Sequence, residues 1–260
     1  MRPTAKTPAK RDAAVLRAAY RLMRAHFGHQ DWWPGDTPFE VCVGAILTQN
    51  TAWTNVERAI ANLKTAGALD PHRLLALTEK ELAGLIRPAG YFNVKERRLR
   101  AFVRALVEHY GGQVGDLLSG PTPEVRARLL ALHGIGPETA DSILLYAGEH
   151  LSFVVDAYTK RIFSRHGWWK PSGRSNGAKS NSRGEYESLK QLCEGRLQHR
   201  PAAARLDYWR DYHAQLVMVG KHYCRNRQPD CAHCPLRGLL PSPGGVPETA
   251  VRKAPDSPSA

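Results

Sequence analysis

Apolar residues recur three and four positions apart along most of this chain, and no stretch of useful length alternates apolar with polar. That pattern confines the fold to packed α-helices. Over residues 13–26 it sets Val15, Leu16, Ala19, Leu22 and Met23 on one stripe. Over 95–110 it sets Leu99, Phe102, Val103, Leu106 and Val107 opposite a basic face. Helices are also predicted over 39–47, 53–63, 124–132, 137–148, 156–166, 185–197 and 208–219. Thr78, with Glu81 three positions on, has the capping-box form that opens another. The expected fold class is all-α.

With 260 residues the chain can hold one large domain or two modest ones, and 42% hydrophobic against 23% charged residues suits a globular protein. No run approaches the roughly 20 apolar residues a membrane helix needs, so no membrane role is expected. The start, MRPTAKTPAKR, lacks the apolar core of a secretory signal. A cytoplasmic place is expected, nucleoid-associated in a bacterium. Lys and Arg number 37 against 24 Asp and Glu, a net charge of +13. That balance makes nucleic acid the default partner, with resistance to aggregation or contact with anionic membranes as the other readings. Residues 1–11 read as a disordered basic arm, 171–184 as a long surface loop and 241–260, rich in Pro, Ser and Gly, as a disordered tail.

Two segments carry the chemistry. The first is LLALHGIGPETADSILLYA, residues 129–147: two helical stretches flank His133-Gly134-Ile135-Gly136, and Pro137 suits the first turn of the second helix. Glycines at 134 and 136 permit a tight turn and leave backbone N–H groups open to a phosphate. An ordinary turn between core helices, with Ile135 filling the core, is the competing reading. The second is FVVDAYTKRIFSR, residues 153–165, in which an apolar run delivers Asp156 to the start of a helix, eighteen residues after Glu138. A carboxylate there is kept ionised by the helix dipole and nearby N–H groups, and it also serves as an N-cap. Five cysteines are present, and Cys224, Cys231 and Cys234 fall within eleven residues. That crowding argues for a metal or cluster site rather than a disulfide framework. Cys42 lies in an apolar helix and reads as buried and inert. The tryptophan pairs Trp32-Trp33 and Trp168-Trp169 read as packing rather than base stacking.

The hairpin, the VVDAYTKR segment and the cysteine cluster together resemble the endonuclease III branch of helix-hairpin-helix DNA glycosylases, over residues from about Phe39 to Cys234. The resemblance implies two helical domains flanking a cleft: a six-helix barrel with the hairpin over 39–148, and a second domain from 12–38 and 149–240 that carries the cysteine loop. It makes Asp156 the catalytic aspartate and double-stranded DNA with a damaged base the partner; nothing in the sequence resembles a dimer seam, so a monomer is expected. It places Gln49 in the space left by an extruded base, with Tyr91 and Asn93 on a second, wedge-like loop. Gly134, Ile135, Gly136, Thr139 and Lys160 then face the DNA backbone.

Bifunctional members of that family carry a lysine where this chain has Glu138, and a carboxylate forms no imine. The pattern is similar to the family's alkyl-purine glycosylases. A monofunctional enzyme is therefore expected, acting on an alkylated purine or, second, an oxidised pyrimidine. The alternatives are a lyase using Lys160 or another lysine, and a non-catalytic module that binds lesions or bent DNA. The family's cysteine spacing continues to a fourth cysteine, at the place of Leu240 here. A 4Fe–4S cluster on Cys224, Cys231 and Cys234 is expected, with zinc or no metal as alternatives; Cys193, His222, His233 and Asp230 are candidates for a fourth ligand. Its role would be to staple a basic loop (Lys221, Arg225, Arg227, Arg237) against DNA.

Overall fold

A computed structural model describes residues 8–171 and 182–241. The expected tail, most of the expected surface loop and the first part of the expected arm lie outside the described residues. The described residues are helical without a strand, as the periodicity requires. The chain divides into two compact units: Met1–Trp32 joined with Phe153–Ala260, and Trp33–Ser152.

The first unit opens with α1 (Pro8–Phe27), which begins inside the stretch read as an arm because a proline is well tolerated in a first helical turn. The central unit holds α2 (Pro38–Leu47), α3 (Trp53–Thr65), α4 (Pro71–Ala76), α5 (Glu79–Leu85), α6 (Phe92–Tyr110), α7 (Val114–Leu117), α8 (Thr122–Leu130) and α9 (Pro137–Ser142). The first unit resumes with α10 (Ala157–Arg165), α11 (Ser182–Arg196) and α12 (Ala202–His222).

Local chemistry sets the helix starts of the central unit. Thr37 caps α2 by accepting the Glu40 N–H at 3.1 Å, with Pro38 in the first turn. Asp70 caps α4 ahead of Pro71, and Thr78 with Glu81 closes the capping box of α5. The helix after the hairpin changes character partway: α9 gives way to a π-helical turn over Ile143–Ala147. Leu47, Leu99, Phe102, Val103, Leu129 and Leu144 form the centre of this unit's core. Trp33 meets Trp53 edge-on with ring centroids 5.0 Å apart, so it packs rather than stacks on a base.

Buried charge fastens the end of this unit. Asp141 is fully buried and takes a two-pronged contact from Arg126, at 2.8 and 3.0 Å. The Ser152 hydroxyl donates to the same carboxylate at 2.6 Å. Ser152, the last residue of the central unit, is thus tied to the helix after the hairpin.

In the first unit, Tyr20 of α1 lies over Tyr212 of α12 with centroids 5.5 Å apart, and its hydroxyl donates to the buried Asp211 at 2.7 Å. Gly220 of α12 is a glycine by necessity, since a Cβ there would lie 2.2 Å from Tyr158 of α10. The missing side chain lets those two helices approach closely.

Replacing Asp141 with Ala would leave the Arg126 guanidinium half-sequestered without its partner. Breaking such a buried pair costs about 3 kcal/mol or more, and urea unfolding followed by fluorescence should show that loss as a lower midpoint.

Candidate functional site

Asp156 is the N-cap of α10. Its Oδ1 accepts both the backbone N–H and the hydroxyl of Thr159, each at 2.7 Å. The second oxygen, Oδ2, lies 3.6 Å from Nε2 of His213 on α12, an ion-pair distance rather than a hydrogen bond. Both residues are buried. Burial is the largest influence on the Asp156 carboxyl and pushes its pKa up. His213 and Thr159 together outweigh it, and the net pKa lies below the ordinary value. The carboxylate is therefore ionised, with one oxygen spent on the helix and the other turned to a histidine.

His213 carried no assigned role in the sequence reading. A signal was present: it precedes Gly220 by seven positions, so both lie on the face of α12 that meets α10. Lys160, one turn into α10, holds its Nζ 5.8 Å from the Tyr186 ring centroid.

Within the central unit, Gln49, Gly134, Ile135, Gly136, Glu138 and Thr139 line one cleft of about 470 Å³. Arg98 of α6 lines it too. Gly134 has a φ of +83°, and a Cβ there would meet the Arg98 side chain at 2.2 Å. The turn thus needs glycine at 134 twice over, for its backbone and for Arg98 passing beneath. Gly136 is different: its φ is −92° and nothing crowds its Cβ position, so it serves as the bare N-cap of α9. Ile135 packs into the core, as the simpler reading of that residue held. Glu138 opens α9 and is exposed.

Gln49 is fixed from three sides. Its Nε2 donates to the Gly134 carbonyl at 3.1 Å and to Thr139 Oγ1 at 2.9 Å, and its Oε1 accepts from Arg98 Nη1. Arg98 lies on the basic face predicted for α6. Its partners are 49 and 36 residues away, a pairing that no local pattern encodes.

Tyr91 is 72% exposed, with the left-handed φ of +46°. Asn93, two residues on, lines a different groove of about 660 Å³ with Phe92, Arg87 and Arg97. It is therefore not among the residues lining the hairpin cleft.

In the first unit, Cys224, Cys231 and Cys234 line one small cavity of about 20 Å³. Arg165 Nη1 donates to Cys224 Sγ at 3.2 Å, and Arg161 Nε donates to the Cys224 carbonyl at 2.5 Å. Two arginines of the helix that Asp156 caps thus hold the start of the cysteine loop. Leu240 lines the same cavity and brings no donor. Among the described residues, no three ligating side chains stand together in metal-binding geometry. Three thiols, those of Cys224, Cys231 and Cys234, are thus the cysteine donors that line this cavity. Cys193 and Cys42 are buried, and burial pushes both thiols well above their usual pKa.

Residues 43–183 match the HhH-GPD superfamily of base excision DNA repair proteins. The chain belongs to that family. It is 43% identical over 224 residues to the putative DNA repair glycosylase MJ1434 of Methanocaldococcus jannaschii, covering 86% of this chain and 94% of that one. It is 29% identical over 200 residues to endonuclease III of Thermotoga maritima, covering 77% and 81%. A solved non-covalent endonuclease III–DNA complex shares the fold, with a TM-score of 0.69, 21% identity, and coverage of 88% and 94%. This HhH-GPD protein is an endonuclease III-like DNA N-glycosylase of base excision repair. No described helix is long and apolar enough to cross a membrane.

The depressed Asp156 carboxyl has a consequence for stability. Its contribution is present above the ordinary value of 3.8 and is lost as pH falls through the lower folded value. His213→Gln removes the neighbour that holds the carboxylate down, so acid unfolding followed by tryptophan fluorescence should begin at a higher pH than in the wild type.

Proposed function

We propose that this glycosylase is monofunctional and releases an alkylated purine from duplex DNA, with an oxidised pyrimidine as the alternative substrate class. The observation that carries the reading is the buried Asp156 carboxylate, with Oδ1 held by the two donors of Thr159 and Oδ2 3.6 Å from His213. Its Oδ2, the oxygen not used by the cap, stabilises positive charge developing at the anomeric carbon and positions a water there. The bond between C1′ and the base nitrogen breaks with its electrons leaving on the base. The water oxygen bonds C1′ and its proton passes to the carboxylate. An alkylated purine carries a positive charge that already weakens this bond, so no strong general acid is needed to expel it.

Glu138 supports the monofunctional half of the reading, because the hairpin residue that would attack the sugar as an amine is here a carboxylate. The hairpin backbone at Gly134 and Gly136 is proposed to take a DNA phosphate, a contact that positions without reading sequence. Gln49 and Tyr91 are proposed to enter the duplex around the extruded nucleotide, the step that costs least at a damaged pair. A lyase route would fall to Lys160, whose ammonium rests over Tyr186. We further propose that Cys224, Cys231 and Cys234 hold an iron–sulfur cluster, in preference to zinc, that stiffens the basic loop and takes no part in bond cleavage.

Base release and borohydride trapping should be measured on duplexes bearing an N-methylated adenine, an oxidised thymine or an abasic site. Release of the methylated base without a trapped adduct is expected. Asp156→Asn should lower that rate by about a thousandfold or more while leaving DNA binding nearly unchanged. A trapped adduct that disappears with Lys160→Ala would replace this mechanism with the lyase one.

Metal analysis of anaerobically purified protein should find iron and sulfide together, lost in a Cys231→Ser, Cys234→Ser double variant. Zinc, or no metal, in the wild type would remove the cluster.

A further inference from the structure

The basic face predicted for α6 is not all exposed, for Lys95 is buried with 1% of its surface accessible. Its Nζ donates to the Leu47 carbonyl at 2.8 Å and to the Ala89 carbonyl at 2.7 Å. These two carbonyls end different elements. Leu47 closes α2, and Ala89 closes the 3₁₀ turn Arg87–Ala89. The residue four past Leu47, Thr51, gives its N–H to Thr48 instead, so the Leu47 carbonyl needs an outside donor. An ammonium at that spot also meets the negative end of the α2 dipole.

Each of the two ends leads at once into strained backbone. Asn50, three residues past Leu47, has a φ of +54°, and Tyr91, two past Ala89, has +46°. Non-glycine residues keep such conformations only where their surroundings over-determine them. Lys95 hydrogen-bonds to the root of both loops. It does so at a cost: burial first, then the nearby Arg98, pull its pKa down to about 8.

We propose that Lys95 is a positioning residue, a buried ammonium that fastens the loop of Gln49 and Asn50 to the loop of Tyr91 so that both meet DNA as one rigid pair. This rests on the reading above, in which both loops face the duplex. Lys95 touches neither DNA nor the reacting sugar. It acts by sparing the complex the entropy of ordering two independent loops during extrusion.

The test is Lys95→Met, compared with wild type on an N-methylated adenine in a fully paired duplex and in an unpaired bubble, where little extrusion is required. The variant should lose about tenfold on the duplex and less than about twofold in the bubble. Amide hydrogen exchange should speed up together at 48–51 and 90–93. Equal losses on both substrates, or faster exchange in one loop or neither, would overturn the proposal and leave Lys95 as support for the fold alone. If the methionine variant does not fold, Lys95→Gln, which keeps a neutral donor too short to reach both carbonyls, is run in the same way. Failure of the wild type to release the base from either DNA would count against the proposed function. The exchange measurement, made on free protein, would still decide whether one side chain tethers both loops.

Discussion

A buried polar group left without a partner is costly, and in the central unit that cost bears on where the chain can turn. Asp141, Lys95 and Glu40 are all buried, and each holds backbone or an opposite charge within hydrogen-bond reach. Asp141 gathers Arg126 and Ser152, and Glu40 pairs with Lys64 at 2.8 Å. Apolar packing supplies the bulk of the core but is indifferent to small shifts of loops. The buried charges are not, because their partners must lie within hydrogen-bond reach. The contacts of Gln49 with Gly134, Thr139 and Arg98 in the hairpin cleft are of that stricter kind.

Asp156 shows how one side chain reconciles structure with chemistry. A carboxylate buried without partners would take up a proton and lose its use as an anion. Capping α10 through Oδ1 supplies two donors, and His213 stands by the other oxygen. The readings of Asp156 as a cap and as a charged group are thus the same fact seen from two sides. The helix start is what keeps the charge.

The helical class, the capping box at Thr78, the hairpin and the cap at Asp156 were all legible, because each rests on residues a few positions apart. The burial of Cys42 and the packing of Trp33 were legible for the same reason: an apolar helix and a bulky ring declare themselves locally. His213, Arg98 and Lys95 were not. Lys95 and Arg98 lie on a stretch whose charges suggested a solvent-facing surface, and only the approach of α2 and the hairpin turns them inward. The π-helical turn over Ile143–Ala147 was also invisible, since its apolar residues fit an ordinary helix equally well. The family likeness located Gln49 in the sequence; it did not supply the three contacts that hold it.

Those contacts carry an implication for chemical identity at position 49. A guanidinium can only donate and a carbonyl oxygen can only accept, so the residue between Arg98 and Gly134 must be amphoteric. Glutamate would satisfy the guanidinium and set an oxygen against the Gly134 carbonyl. Lysine would satisfy the carbonyl and set one cation against another. A neutral amide of this length answers both ends at once, and with its oxygen assigned to Arg98 its orientation admits no flip.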